Sequence, residues 1–325
     1  MWKLTKFILL WCITFPCFAQ QDAQYSQYIF NGIYINPAYA GYRERININA
    51  TYRNQWTGIE GAPKGFTLAA DALMPNERVG LSLVMSTEQL GAQGNLSAFA
   101  SYAYRLPINE EGTSKLAFGL GVGVIQSSLN GDMFRAREVD DRFIPNGTIK
   151  QILPDVNAGV FFSTPKMYIG ASVNNLIGKK VLDKKSLEYN FPTPMPHYYL
   201  TGGVLIPIVE YAIDFKPFFL IKDDLKGPTV LDVNAFLLFK QVVWLGLGYR
   251  TGIKLYDKPN LQNNVNQNNA LIGMTEIFVS QRLRLGYSYD YSTSNLGGYA
   301  GSTHEISVSW NFFTQKERNL NFCYF

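Results

Sequence analysis

From Arg45 onward the apolar residues recur at every second position rather than every third or fourth, the period of a strand with two unlike faces. Residues 304–312 place His304, Ile306, Val308, Trp310 and Phe312 on one face and Glu305, Ser307, Ser309 and Asn311 on the other. Residues 282–291 set Leu283, Leu285, Tyr287, Tyr289 and Tyr291 against Arg282, Arg284, Gly286, Ser288 and Asp290. Residues 116–124 set Leu116, Phe118, Leu120, Val122 and Val124 against Ala117, Gly119, Gly121 and Gly123. Weaker alternation covers 46–53, 66–72, 79–86, 96–106, 156–162, 168–174, 198–206, 211–217, 230–239 and 243–250. The expectation is about fourteen strands with no amphipathic helix among them.

The connections between these strands alternate in length. Long ones fall at 55–64, 87–95, 127–154, 175–196, 222–229, 251–270 and 292–302, and short ones at 74–77, 107–114, 164–167, 207–209, 240–241 and 280–281. Such parity predicts an all-β, transmembrane up-and-down antiparallel barrel of outer-membrane type, with short periplasmic turns, long outer loops and both termini in the periplasm. Hydrocarbon offers no partner for a peptide group, so a sheet crosses it only when closed. Lipid then takes the apolar face and the lumen takes the polar one. That assigns Arg53, Asp71, Asp214, Asp232, Arg250, Arg282, Arg284 and Asp290 to the lumen, since a midplane Arg facing lipid costs about 2–4 kcal/mol. Tyrosines at 102–104, 198–199 and 287–291 fit interfacial girdles.

Composition agrees. Of 325 residues only 17% are charged and 14% are aromatic, whereas soluble domains carry roughly a quarter charged residues. The competing architecture, a soluble β-sandwich or propeller, also alternates but does not account for the loop parity, the aromatic excess and the low charge. No run of about 18 apolar residues occurs, which excludes a polytopic helical membrane protein. Residues 1–19 read as a secretory signal peptide: Lys3 and Lys6, a short apolar run from Phe7 to Phe15, then Ala19 before Gln20. Trp11 and Pro16 before Cys12 and Cys17 do not suit a lipoprotein signal. Without that leader the charge is nearly balanced, which gives no nucleic-acid surface, and Cys323 is left without an internal disulfide partner.

Residues 20–44 precede the first strand and are aromatic and polar without a sustained period; Asn36-Pro37 favours a turn. They read either as a plain periplasmic lead-in or, more sharply, as a folded plug or a docking strip. The barrel itself is assigned to 45–313. Residues 314–325 are a tail or the end of the last strand, since Thr314–Asn319 separates Phe325 from the alternating run. Asn260–Asn269 is a loop rich in Asn and Gln.

Catalytic or metal chemistry finds little support, because His197 and His304 are the sole histidines. His304 belongs to the outward face, and His197 follows Pro194-Met195-Pro196 with no nucleophile near it in sequence. Asp140-Asp141 and Asp223-Asp224 read as solvated loop charge, because calcium needs six or more oxygens in a set geometry. Gly119, Gly121 and Gly123 sit in a strand, the wrong context for a dinucleotide loop. They suit small lumen-facing positions beside a bulky neighbour or an inserted segment. No catalytic residue, metal ligand or cofactor is assigned.

Three blocks resemble the PorP/SprF family of Bacteroidetes. They are Gln24–Asn31 with Asn36-Pro37-Ala38-Tyr39-Ala40-Gly41; Tyr52-Arg53-Asn54-Gln55-Trp56 with Gly61-Ala62-Pro63; and Leu285–Tyr291 with Gly301–Ile306. The resemblance implies an outer-membrane, non-enzymatic component of the type IX secretion system in a Gram-negative bacterium. Its partners would be outer-membrane lipid and either a cargo protein with a C-terminal sorting domain, such as a gliding adhesin, or subunits of the periplasmic ring. Tyr25, Tyr28, Phe30, Asn31, Asn36, Pro37, Tyr39 and Gly41 are the candidate partner-binding residues. A passive or ligand-specific pore for small solutes is the alternative, and an outer-membrane hydrolase a third class.

Overall fold

The computed structural model describes residues 25–134, 144–178, 194–210, 212–258, 268–294 and 301–312. The leader at 1–19, Asp140-Asp141, most of the Asn-rich loop, the 314–325 tail and Cys323 lie outside the described residues. Fifteen strand segments follow in chain order: β1 (Ile46–Asn54), β2 (Lys64–Leu73), β3 (Val79–Leu90), β4 (Gln93–Pro107), β5 (Lys115–Asn130), β6 (Thr148–Ser163), β7 (Met167–Asn174), β8 (His197–Val204), β9 (Ile206–Val209), β10 (Ile213–Asp223), β11 (Thr229–Phe239), β12 (Val243–Ile253), β13 (Asn268–Phe278), β14 (Leu283–Ser292) and β15 (Thr303–Phe312). Neighbours pair antiparallel, and β1 pairs with β15 from Ile46↔Phe312 to Asn54↔His304, which closes the sheet. β8 and β9 both lie along β10, interrupted at Leu205, so the wall is a closed barrel of fourteen strands.

Burial is inverted relative to a soluble protein. On β15, Glu305, Ser307, Ser309 and Asn311 are buried, while Ile306, Val308, Trp310 and Phe312 are exposed. The same division holds on β5, where Phe118, Leu120, Val122 and Val124 face outward. A row of exposed apolar side chains beside a buried polar row is what a barrel in lipid requires. Tyr102, Tyr104, Tyr198, Tyr287, Tyr289 and Tyr291 stand on the outer face, but Tyr199 turns inward. His304 joins the outer aromatic set: its Nδ1 lies 2.8 Å from the Tyr287 hydroxyl, and Tyr289 meets it edge-on at 5.2 Å.

Two connections depart from the expected parity: the one expected to be long at 222–229 spans only 224–228, no longer than the turn at 74–78, and the other is tighter still. The long loop expected at 87–95 is a tight turn at Gly91-Ala92, because β3 and β4 run on to Leu90 and from Gln93. β5 and β6 likewise extend to Asn130 and from Thr148. Past the apolar band the outward positions become polar, as at Thr87, Gln89, Gln126, Ser128 and Lys150. The hydropathy period therefore vanishes while the strand continues. The strand expected at 211–217 also runs on, to Asp223.

Residues 25–44 are inside the barrel. They form short 3-10 turns at Gln27–Phe30, Gly32–Tyr34 and Pro37–Tyr39. Asn36 caps the last of these, its Oδ1 accepting from the Ala38 amide at 2.9 Å, and Pro37 follows where its missing N–H costs nothing. The chain seats directly on wall glycines. A Cβ at Gly119 would stand 2.1 Å from the Ala38 nitrogen, and one at Gly80 would stand 1.9 Å from the Ala40 carbonyl oxygen. We expect Gly119→Val to destabilise the barrel by about 1–3 kcal/mol through overpacking. Gly273→Ala, which meets nothing within 4 Å, should change stability little. Guanidinium unfolding of the two variants checks the contrast.

Candidate functional site

The segment runs from the short-turn end of the lumen into its loop-side half. Tyr25 and Ser26 lie in the half nearer the long loops, and Gly41–Glu44 lie at the short-turn end, where the chain enters β1. Each end is held by charge. In the loop-side half, Arg250 reaches Asp232 through two hydrogen bonds, Nε–Oδ1 at 2.8 Å and Nη2–Oδ2 at 2.9 Å. It also lies 3.5 Å from Asp290. Arg53 bonds Glu305 at 2.9 Å and Asp290 at 3.3 Å. All five side chains are nearly inaccessible. Ser26 sits among them, donating its amide to Glu305 at 3.0 Å and its hydroxyl to Asp290 at 2.6 Å. Gln27 donates its amide to the same carboxylate at 2.9 Å and its side chain to the Glu305 carbonyl at 2.8 Å.

At the opposite end Gly41, with φ +70, donates to Asp71 at 3.2 Å and accepts from Arg105 at 2.8 Å. Asn47 holds the other Asp71 oxygen at 3.1 Å. Arg43 donates to the Phe30 carbonyl, and Arg284 approaches Glu276 at 3.4 Å. Glu44 accepts from Arg105 at 3.1 Å and from Lys115. Between the two ends, aromatic packing joins the segment to the wall. Phe30 meets Phe236 at 5.3 Å, Tyr28 meets Phe218 at 6.0 Å, and Tyr39 and Tyr42 both pack on Phe161. Above the segment, toward the loops, a cavity of about 300 Å³ remains.

Of the eight residues assigned to the lumen, Arg53, Asp71, Asp232, Arg250, Arg284 and Asp290 are buried there. Asp214 is half-buried near the short-turn end of β10. Arg282 is a correction: it lies in the exposed turn before β14, so its place in the alternation puts it beyond the wall rather than inside it. The eight candidate partner-binding residues all point into the barrel, Tyr25 half-buried and the other seven buried. They contact the wall and are not presented as an exposed strip. Nor is the segment a lead-in outside the barrel, since its described residues occupy the lumen. His197 is buried at the start of β8, its Nδ1 2.9 Å from the Met195 carbonyl. Among the described residues no three His, Cys, Asp or Glu side chains gather as a metal site.

Sequence reasoning missed Glu305, Ser26 and Gln27, which carry the loop-side anchor, and Arg43, Glu44, Arg105 and Lys115, which carry the other. Glu305 stood on the polar face of the clearest strand and was the available signal.

Removing one member of a buried ion pair costs about 3–5 kcal/mol, because the partner is left charged and dry. We expect Arg250→Met to lower stability on that scale and to expose 25–30 to proteolysis. Adding Asp232→Asn should recover part of the loss; guanidinium midpoints of the single and double variants measure the coupling. Burial pushes the Glu44 carboxyl up, but the hydrogen bond and charge of Lys115 and the charge of Arg105 outweigh it, leaving it below the usual range. Its contribution is therefore complete at neutral pH and is lost as pH falls through the depressed folded value. Amide exchange at 40–45, corrected for intrinsic pH dependence, should accelerate in acid, and Glu44→Gln should flatten that response.

The fold is shared with solved outer-membrane barrels. The Ralstonia pickettii toluene transporter TbuX superposes with a TM-score of 0.53 at 11% identity, covering 87% of this chain and 93% of its own. The CymD monoaromatic hydrocarbon channel gives 0.54 at 10% identity, covering 89% and 94%. At such identities the likeness is one of fold. A search of curated proteins returns no match. The profile of the type IX secretion system membrane protein PorP/SprF matches residues 17–310, taking in the lumen segment and nearly the whole wall, and the chain belongs to that family.

Proposed function

We propose that the protein is a non-enzymatic outer-membrane anchor of type IX secretion, a filled barrel that acts by protein contact rather than by conducting solutes. The carrying observation is the lumen: residues 25–44 occupy it and are tied to the wall at both ends. A rigid body of this kind supports export or surface retention of a cargo protein through its C-terminal sorting domain, or docking to the periplasmic secretion ring. Because the partner-binding candidates face inward, the contact surface falls to the long loops and the short turns. In this reading the short-turn end faces the periplasm and the Tyr25 end faces outward. Gliding adhesins are one class of cargo that fits.

The pore reading draws on the fold shared with a toluene transporter and a hydrocarbon channel, and on the cavity above the segment. Planar-bilayer recording separates the two. We expect the purified protein to be silent and a variant lacking residues 24–41 to show steady open channels. Steady conductance from the intact chain would favour the pore. Affinity capture from gently solubilised outer membranes, with mass spectrometry, should return a large secreted protein bound through its C-terminal domain, or ring subunits. A barrel that comes out alone and conducts would overturn the anchor.

A further inference from the structure

The cavity on the loop side of the segment has a chemistry of its own. Its walls carry Ser86, Ser97, Ser101, Ser127 and Asn157 interleaved with apolar side chains such as Val84, Phe99, Ile125 and Leu220, and its floor carries Tyr25 and Tyr34. We propose that it is a binding site for a neutral, hydroxyl-rich ligand of mono- or disaccharide size.

Hydroxyl and amide groups both donate and accept hydrogen bonds. A wall built from them matches a ligand whose own groups do the same at every position. Ser86 and Ser97 stand side by side with their oxygens 2.7 Å apart, inside the ordinary range for O–H···O bonding. The charges that border the cavity are engaged: Arg250 is closed on Asp232, the Lys222 ammonium lies 5.9 Å from the centre of the Tyr199 ring, and the Glu88 carboxylate likewise has a partner. An ion is therefore not the ligand this wall selects. A hydrocarbon would meet the apolar part of the wall but leave the serine hydroxyls without partners, whereas a sugar offers C–H faces to the first and hydroxyls to the second.

The floor supplies what the walls lack. Tyr25 and Tyr34 lie with ring centres 5.9 Å apart, and the Thr67 hydroxyl donates to the Tyr25 hydroxyl at 2.8 Å, fixing that ring. Aromatic rings beside polar walls suit a sugar ring, which is apolar on its C–H faces and polar at its edge. The volume of about 300 Å³ is at the lower end of the range for small-molecule sites, roughly 300–1,000 Å³. That admits one or two rings and not a long chain.

The test is isothermal titration calorimetry on the full chain in a sugar-free zwitterionic detergent, so that head groups do not compete. Glucose, galactose, N-acetylglucosamine, lactose and toluene are the probes. We expect saturable binding of at least one saccharide and none of toluene. Ser97→Leu, which fills the cavity, should weaken that binding at least about tenfold, or 1.4 kcal/mol. Heat-modifiability on gels reports the fold, and if Ser97→Leu loses it, Ser127→Val is read instead. No saccharide binding by the intact chain, binding of toluene instead, or unchanged affinity in the filled variant would overturn the proposal. None of these outcomes depends on which secretion partner the barrel holds.

Discussion

Everything in this molecule follows from one deficiency of its solvent: hydrocarbon cannot accept or donate a hydrogen bond. A sheet survives there only with every strand paired on both sides, so β15 must return to β1. Closure at fourteen strands has a geometric consequence. A barrel of about eight strands is filled by its own side chains, and wider ones enclose space. Space inside a polar wall holds either water or protein. Here protein takes the short-turn and central lumen, and a cavity remains on the loop side.

Placing protein there raises a second problem, because the segment brings backbone groups and the wall brings charges. Both are solved together. Glu305 accepts the Ser26 and Gln27 amides while paired with Arg53. The Ser172 hydroxyl donates to the Ile35 carbonyl at 2.6 Å, and Arg105 donates to that of Gly41. Buried ion pairs of this kind add little net stability over an apolar equivalent, but breaking one is costly. Their effect here is therefore on position: a segment shifted by one residue would take the Ser26 and Gln27 donors from Glu305 and Asp290 and move Glu44 off Arg105 and Lys115.

How much was legible follows the same physics. The wall was readable because lipid and lumen impose opposite demands on successive residues, and β14 and β15 show those demands without interruption. Where β3 to β6 rise past the apolar band, both faces turn polar, so the tight turn at Gly91-Ala92 looked like part of a long loop. Arg282 kept the parity of its strand but sat beyond its end. The 25–44 segment was the least legible part, because its period is set by the wall around it and not by its own backbone. Aromatic and polar residues mix there since Phe30 packs on Phe236 while Ser26 meets Asp290. Gly119 gave a trace of it: a small residue at a lumen-facing position, explained by the Ala38 backbone lying against it.

The segment also binds the two ends of the chain's wall together. Arg53 on β1 lies directly opposite Glu305 on β15 in the pairing register, so their ion pair spans the seam where the barrel closes. Ser26 and Gln27 attach to that same Glu305 and to Asp290 on β14. The middle of the segment rests on Gly80 of β3 and Gly119 of β5, while Asn36 donates to the Val160 carbonyl of β6 at 3.0 Å. Strands made early and strands made late thus share one interior scaffold. Closure of the seam completes the anchor of the segment, and the seated segment positions the carboxylate that Arg53 must find. Sealing the sheet and filling the lumen are in this sense a single event.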